Sequence, residues 1–228
     1  VKLLVSGEDE TARELGEFIE SENKARKNFD QSITKEALDM IADNEDLLNA
    51  KSTVLYNEDW HKGVIGIVAS RVIETHYKPT IILTESNGKA AGSARSVQGF
   101  DVYNAIDACS DLIEQFGGHM YPAGMTMPIE NVDAFRKKFD QVVSETITEE
   151  QLVPEIKIDL EIILDKLIPK KGEQFPKFYR IIKRFAPFGP QNMHPVFMIK
   201  NAQAKYSKIV GDTHLKMSVY QEANPAQL

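Results

Sequence analysis

The chain has a single cysteine, Cys109, a single tryptophan, Trp60, and no initiator methionine at Val1. One cysteine cannot build an internal disulfide framework and suits a reducing, cytoplasmic setting. Cys109 has apolar neighbours in an expected helix, so it reads as a packed thiol and not as a nucleophile. No apolar run approaches the length of a membrane span, and no signal peptide opens the sequence, so no membrane partner is expected. There is no P-loop, no Gly-x-Ser-x-Gly elbow and no dinucleotide fingerprint. His76, His194 and His214 have no companions at metal-ligand spacing, and no Asp/His cluster could hold catalytic ions, so no metal or other cofactor is assigned within these residues.

What is present is the composition of a soluble globular protein: 228 residues, 42% hydrophobic and 27% charged, enough for one large domain or two small ones. The net charge of −7 argues against a polyanionic partner until the chain is divided. Residues 151–228 hold 12 Lys and Arg against 7 Asp and Glu, a net of +5, while residues 1–150 hold 15 against 27, a net of −12. This asymmetry predicts two domains with different tasks, the second able to follow a polyanion backbone. A modest basic excess is also an ordinary solvated face.

The pattern predicts α/β architecture with a mixed sheet. Residues 1–5 (VKLLV) read as a short buried strand. Ser6 would cap a first helix whose apolar stripe is Leu15, Phe18 and Ile19 and whose end lies near Lys24, Arg26 and Lys27. A second helix starts at Thr34 and carries Ala37, Leu38 and Ile41, so residues 1–50 read as a helical connector. Strands are expected at 52–56, 80–84, 89–95 and 123–127, with a tight turn at Asn87-Gly88. Helices are expected at 63–77, deeply buried and stopped by Pro79, at 101–115, ended by Gly117-Gly118, and at 129–146. These elements make one α/β domain over 51–150. After a polar linker at 148–154, strands at 155–160, 195–199 and 215–220, a short helix at 174–184 and a rigid Pro187-Phe188-Gly189-Pro190 turn suggest a small β-barrel over 151–228. The strands before Asn224-Pro225-Ala226-Gln227-Leu228 are too few to close it, so a truncated barrel is expected.

Two stretches concentrate the chemistry: Gly92-Ser93-Ala94-Arg95-Ser96, and Gln115-Phe116-Gly117-Gly118-His119 followed by Ala123-Gly124. Ser93 and Arg95 are two apart on an expected strand and so share a face. Arg95 offers a planar fork of donors suited to phosphate, and Ser93 adds a short hydroxyl donor. Gly92 and Ala94 keep the approach open. Gly117 and Gly118 can take positive φ and leave room for a ligand, and His119 would donate to a phosphate oxygen or assist proton transfer. An exposed Arg in a surface ion pair and a helix stop followed by a structural His fit the same residue types. Trp60 reads as a packing lid or a base-stacking ring, His61 as a loop residue, and Gly66 as a close-packing position. In the basic part, Lys177, Arg180, Lys183 and Arg184 interleave with Phe178, Tyr179 and Phe185, a mixture suited to single-stranded nucleic acid. The plainer reading puts Phe178, Ile181, Ile182 and Phe185 in a core.

The run from Trp60 to Arg71 (WHKGVIGIVASR) resembles the start of the DHH-associated domain of RecJ-type single-strand-specific exonucleases. So do Gly92 to Ser96, Gly99-Phe100-Asp101, and Phe116 to His119 with Ala123-Gly124. Ala186 to Pro190, Pro195-Val196-Phe197 and His214-Leu215-Lys216 resemble the oligonucleotide-binding (OB) barrel that follows in that family. The match runs in order along nearly the whole chain. Gly-Gly-His is shared more widely, with oligoribonucleases and cyclic-dinucleotide phosphodiesterases of the DHH superfamily.

The resemblance implies a 5′→3′ exonuclease acting on single-stranded DNA in recombination and repair. It also implies a separate N-terminal DHH domain, absent from these residues, that binds Mn²⁺ or Mg²⁺ and hydrolyses the phosphodiester. Residues 1–5 would be that domain's last trace, and this chain alone would not hydrolyse. By the same analogy Ser93, Arg95 and His119 grip phosphates near the 5′ end, Arg71 and Ser96 assist, Arg26 faces the DNA channel, and Lys216 joins the basic residues of the OB part. Met120-Tyr121-Pro122 departs from the family's small residues and would narrow the pocket or stack on a base. Two other readings stay open: an autonomous single-strand-binding module, and part of an enzyme for short oligoribonucleotides or cyclic dinucleotides.

Overall fold

A computed structural model of the protein describes residues 1–211 and 214–221. The chain forms two units, Val1–Pro154 and Glu155–Leu228. The first contains α1 (Asp9–Ala42), α2 (Glu45–Asn49), β1 (Thr53–Tyr56), α3 (Ile65–Thr75), β2 (Thr80–Ser86), β3 (Lys89–Arg95), α4 (Val102–Asp107), β4 (Gln115–Gly118), β5 (Pro122–Met127) and α5 (Val132–Thr146). Its five strands make one sheet in the order β1-β2-β3-β5-β4. β1 and β2 run parallel and the remaining pairs antiparallel, so the sheet is mixed and the class is α/β.

Strand alternation decides what each face carries. Val54, Ile81, Leu83, Ala94, Ala123 and Met125 point to one face, where they meet Val102 and Ile106 of α4 and Phe135, Phe139 and Val143 of α5. Leu55 and Ile82 point to the other, where α3 supplies Ile65, Val68 and Val72 and α1 supplies Ile33, Ala37 and Ile41. Burying each of the larger of these side chains stabilises the fold by about 1.5–3 kcal/mol, so both faces are strongly specified over β1 to β3. α3 packs on β2 and β3. On its side of the sheet, β5 and β4 carry Thr126, Gly124, Gln115 and Gly117, and none of these belongs to that apolar cluster.

Several local expectations are corrected. Residues 1–5 form an exposed 3-10 turn instead of a buried strand. The expected pair of N-terminal helices is one helix, α1, entered at Glu8, and the Ser6 hydroxyl donates to the Glu8 carbonyl instead of capping. The stretch expected to part the two, between Lys27 and Thr34, stays helical: Asp30 within it is buried and ion-paired, and the turns after it are held by Ile33, Ala37 and Ile41 on α3. The expected helix at 101–115 stops at Asp107, and Gln115–Gly118 is an edge strand. Leu112, Ile113 and Phe116 have helical spacing, but they reach the core through a 3-10 turn and a strand.

The second unit has β6 (Leu160–Glu161), α6 (Lys177–Ile182), β7 (Phe197–Met198), β8 (Ala202–Val210) and β9 (His214–Gln221). β6 pairs with β7 and β8 with β9, so its described strands make two two-stranded sheets. The strand expected at 155–160 is reduced to Leu160–Glu161, with Ile156 and Ile158 exposed. β8 is announced only weakly: Ala202, Ala204 and Tyr206 alternate with Gln203, Lys205 and Ser207, two of the three apolar residues are small, and the whole strand is exposed. The expected core of Phe178, Ile181, Ile182 and Phe185 is half realised: Phe178 packs edge-on against Phe197 at 5.0 Å, while Ile181 and Phe185 are exposed. Asn224 to Leu228 lie outside the described residues.

Candidate functional site

Two rows of paired residues run across the face on which α3 lies, from its covered part at β2 to its open part at β5 and β4. Ile82, Ser93, Gly124 and Gly117 are partners across β2, β3, β5 and β4. One step along, Thr80, Arg95 and Pro122 pair, and the His119 backbone N–H donates to the Pro122 carbonyl at 2.8 Å. Ser93 and Arg95 on β3, and Gly117 on β4 with His119 just past its end, therefore face one another across β5. At the usual spacing of strands, about 10 Å separates β3 from β4. Gly124 forms the floor between them, with no side chain to block it.

α3 makes the wall. A cleft of ≈ 560 Å³ is lined by Lys62, Gly63, Gly66, Ser93, Gly117 and Thr126, among others. Arg95 is half-buried beside it. Its Nη1 donates to the Ser93 Oγ at 3.0 Å and to the Ala94 carbonyl at 2.8 Å. A Cβ on Gly66 would lie 2.8 Å from the Arg95 Nη2 and 3.0 Å from the Ser93 Oγ. Burial lowers the Arg95 pKa, and no neighbouring charge contributes. Among the described residues no carboxylate pairs with Arg95. A half-buried guanidinium with donors unspent has the chemistry to accept an anion.

The other sequence-predicted residues divide. The His119 imidazole is exposed and makes no hydrogen bond among the described residues. Gly117 has open space where a Cβ would lie. Gly118 does not leave room for a ligand: at φ 148° a Cβ would strike the Pro122 carbonyl and the Ala123 backbone, so it is there for the hairpin. The Ser96 Oγ donates to the Phe100 carbonyl at 2.7 Å, which closes the turn after β3. Arg71 makes a bidentate pair with Asp30, Nε to Oδ1 and Nη2 to Oδ2 both at 2.8 Å. Arg26 lies in a second cleft with Phe29 and His61. Trp60 is core, with Nε1 donating to Glu36 Oε2 at 2.9 Å. In the second unit Lys177, Lys183, Arg184 and Lys216 are exposed, Arg180 pairs with Glu173 at 2.9 Å, and Lys183 lies over the Tyr179 ring.

Sequence reasoning misses Lys62, Gly66 and Thr126. Gly63-Val64-Ile65-Gly66 reads as helix packing, and only the fold shows Gly66 against Arg95. Among the described residues no three His, Cys, Asp or Glu side chains stand together as a metal-binding group.

Comparison with known proteins places this geometry. A DHHA1 domain model matches residues 49–145 and a RecJ OB domain model matches residues 159–228. The chain belongs to the RecJ family. It is 32% identical over 228 residues to the single-stranded-DNA-specific exonuclease RecJ of Bacillus subtilis, covering 98% of this chain and 28% of that protein. It is 28% identical to the RecJ exonuclease of Escherichia coli, covering 96% and 38%. Thermus thermophilus RecJ in complex with Mn²⁺ shares the fold, with a TM-score of 0.75 at 23% identity over 100% of this chain and 33% of that one. A RecJ exonuclease bound to manganese aligns with a TM-score of 0.58 at 25% identity, over 67% of this chain and 37% of that one. The chain thus spans about a third of the length of the relatives it matches. No described helix is long and apolar enough to cross a membrane.

Proposed function

We propose that this chain is the strand-gripping part of a single-strand-specific DNA exonuclease. Ser93, Arg95 and His119 hold substrate phosphates, with Gly117, Gly124 and Gly66 keeping the approach clear. A DHH domain encoded outside these 228 residues supplies Mn²⁺ or Mg²⁺ and hydrolyses the phosphodiester. The gripped end is the 5′ end, and the intact enzyme works in DNA recombination and repair in the cytoplasm. Boundaries near residues 51 and 150 separate connector, DHH-associated domain and OB-like domain. The basic residues of the last, Lys177, Arg180, Lys183, Arg184 and Lys216, follow the strand electrostatically.

The observation that carries this reading is Arg95, half-buried over a glycine floor beside the Ser93 hydroxyl and without a carboxylate partner. Fluorescence anisotropy with 5′-phosphorylated and 5′-hydroxyl single strands tests it, on the wild type, Arg95→Ala and His119→Ala. A preference for the phosphorylated end that both substitutions abolish is the expected result. Equal affinity for both ends, unchanged by either substitution, would overturn the assignment. The exposed cations of α6 favour a second reading, a module that binds strands without any hydrolytic role. Metal-dependent hydrolysis by the full-length gene product, impaired by Arg95→Ala, would exclude it.

A further inference from the structure

The second cleft has a composition of its own. It encloses ≈ 310 Å³ between α1 and the loop leading into α3, and Glu22, Asn23, Arg26, Phe29, His61 and Gly63 line it. Phe29 and His61 stack nearly parallel, with centroids 5.3 Å apart and 18° between planes. Phe29 is 48% exposed, so the pair is not a core contact. Phe29, Arg26 and Asn23 recur every third residue and so fall on one face of α1.

His61 is held in place before any ligand arrives. The Gly63 N–H donates to its Nδ1 at 3.1 Å, which leaves Nε2 to carry the proton. A Cβ on residue 63 would lie 2.8 Å from His61 Cε1, so only glycine lets the ring fold back over the loop. A stacked ring fixed by its own backbone loses little freedom when a second ring lands on it. Around that platform stand the Arg26 guanidinium for phosphate, the Asn23 amide for a base edge, and the Glu22 carboxylate, which accepts from exocyclic amino groups. Gly63 lines this cleft and the phosphate cleft alike, so the two adjoin.

We propose that Phe29 and His61 form a nucleobase-stacking subsite for a nucleotide neighbouring the gripped phosphate. The proposal deepens the phosphate-grip reading and rests on it for the strand's position. Every base has a π face, so such a platform selects single strands, whose bases can turn outward, without selecting sequence.

The test measures binding by the full-length protein in EDTA, which prevents hydrolysis. The probes are 5′-phosphorylated single strands carrying one abasic residue at successive positions from the phosphorylated end. In the wild type one position is expected to weaken binding by roughly tenfold, the usual effect of losing one stacked base. Phe29→Ala should cost the same on the intact strand and nothing further on the strand abasic at that position. Phe29→Trp should bind as the wild type, while Phe29→Leu, which keeps apolar packing without a π face, should behave as Phe29→Ala. Wild-type affinity in Phe29→Leu, or an equal loss wherever the abasic residue lies, would overturn the proposal. The ratio of affinities for 5′-phosphate and 5′-hydroxyl strands reads the Arg95 grip separately. A ratio of one alongside a position-specific abasic loss would reject the grip and keep the platform.

Discussion

The guanidinium of Arg95 occupies the space that a side chain on residue 66 would need: its Nη2 lies 2.8 Å from the point where a Cβ on Gly66 would sit. The helix that covers the sheet thus has a notch cut for the residue that would hold the anion. Burial disfavours the charged form of Arg95, so its orientation toward Ser93 has to be imposed by its neighbours.

Gly66→Ala should separate binding from stability. Alanine in place of glycine within a helix stabilises by up to about 1 kcal/mol, and the group it would strike is the movable end of a side chain. The melting temperature is therefore expected to stay level or rise. The displaced guanidinium should lose most of the preference for a 5′-phosphorylated strand, measured by anisotropy. Full retention of that preference would show that Arg95 grips from another position.

Gly117 and Gly118 are adjacent and should fail differently. Gly118→Ala forces a Cβ into the Pro122 carbonyl and the Ala123 backbone at φ 148°. It should destabilise by about 1–3 kcal/mol in urea unfolding. Gly117→Ala meets nothing within 4 Å and should leave stability within about 0.5 kcal/mol. Its methyl would stand on the floor of the cleft and weaken oligonucleotide binding. Equal stability losses in both variants would remove the distinction.

The legible parts of this fold carry their signal locally. β2 is readable from its β-branched run, β3 from the Asn87-Gly88 turn that sends the chain back beside it, and Ser93 and Arg95 share a face because a strand has period two. β4 is not readable: Leu112, Ile113 and Phe116 fit a helical stripe, and pairing with β5 decides the matter. Gly66 is opaque for a related reason, since a glycine cut for helix packing and one cut for a distant guanidinium look alike in sequence. The family resemblance offers Arg71 to the phosphate, and nothing local in the sequence shows that the fold buries Asp30 beneath it. The glycine-rich run before His119 is visible, but which glycine serves the backbone and which the ligand depends on the face each takes.

Arg71→Ala tests whether Arg71 serves the fold or the phosphate. It would leave the Asp30 carboxylate, whose side chain is 7% exposed, with only the Thr34 hydroxyl at 3.4 Å. Breaking a fully buried pair costs about 3–5 kcal/mol. Arg71 is 46% exposed and water takes up part of its role, so about 1–3 kcal/mol is expected in urea unfolding. The ratio of affinities for phosphorylated and unphosphorylated strands should not change. A lost ratio with unchanged stability would return Arg71 to the phosphate site.

Cys109 supplies a pH dependence with a definite sign. Burial pushes its thiol up to about 11, with Lys138 opposing and Asp111 reinforcing, whereas an unfolded cysteine titrates near 8.5. The folded state therefore keeps a proton that the unfolded state releases, so this contribution to stability is complete below about pH 8.5 and lost as pH rises toward 11. Cys109→Ala lacks the linkage and pays instead a pH-independent loss of packing. The stability advantage of the wild type over Cys109→Ala should shrink between pH 8 and pH 10.5 in parallel urea titrations, and the native thiol should be inert to thiol reagents at pH 8. An advantage that holds constant across that interval would mean the thiol is solvated in the folded protein.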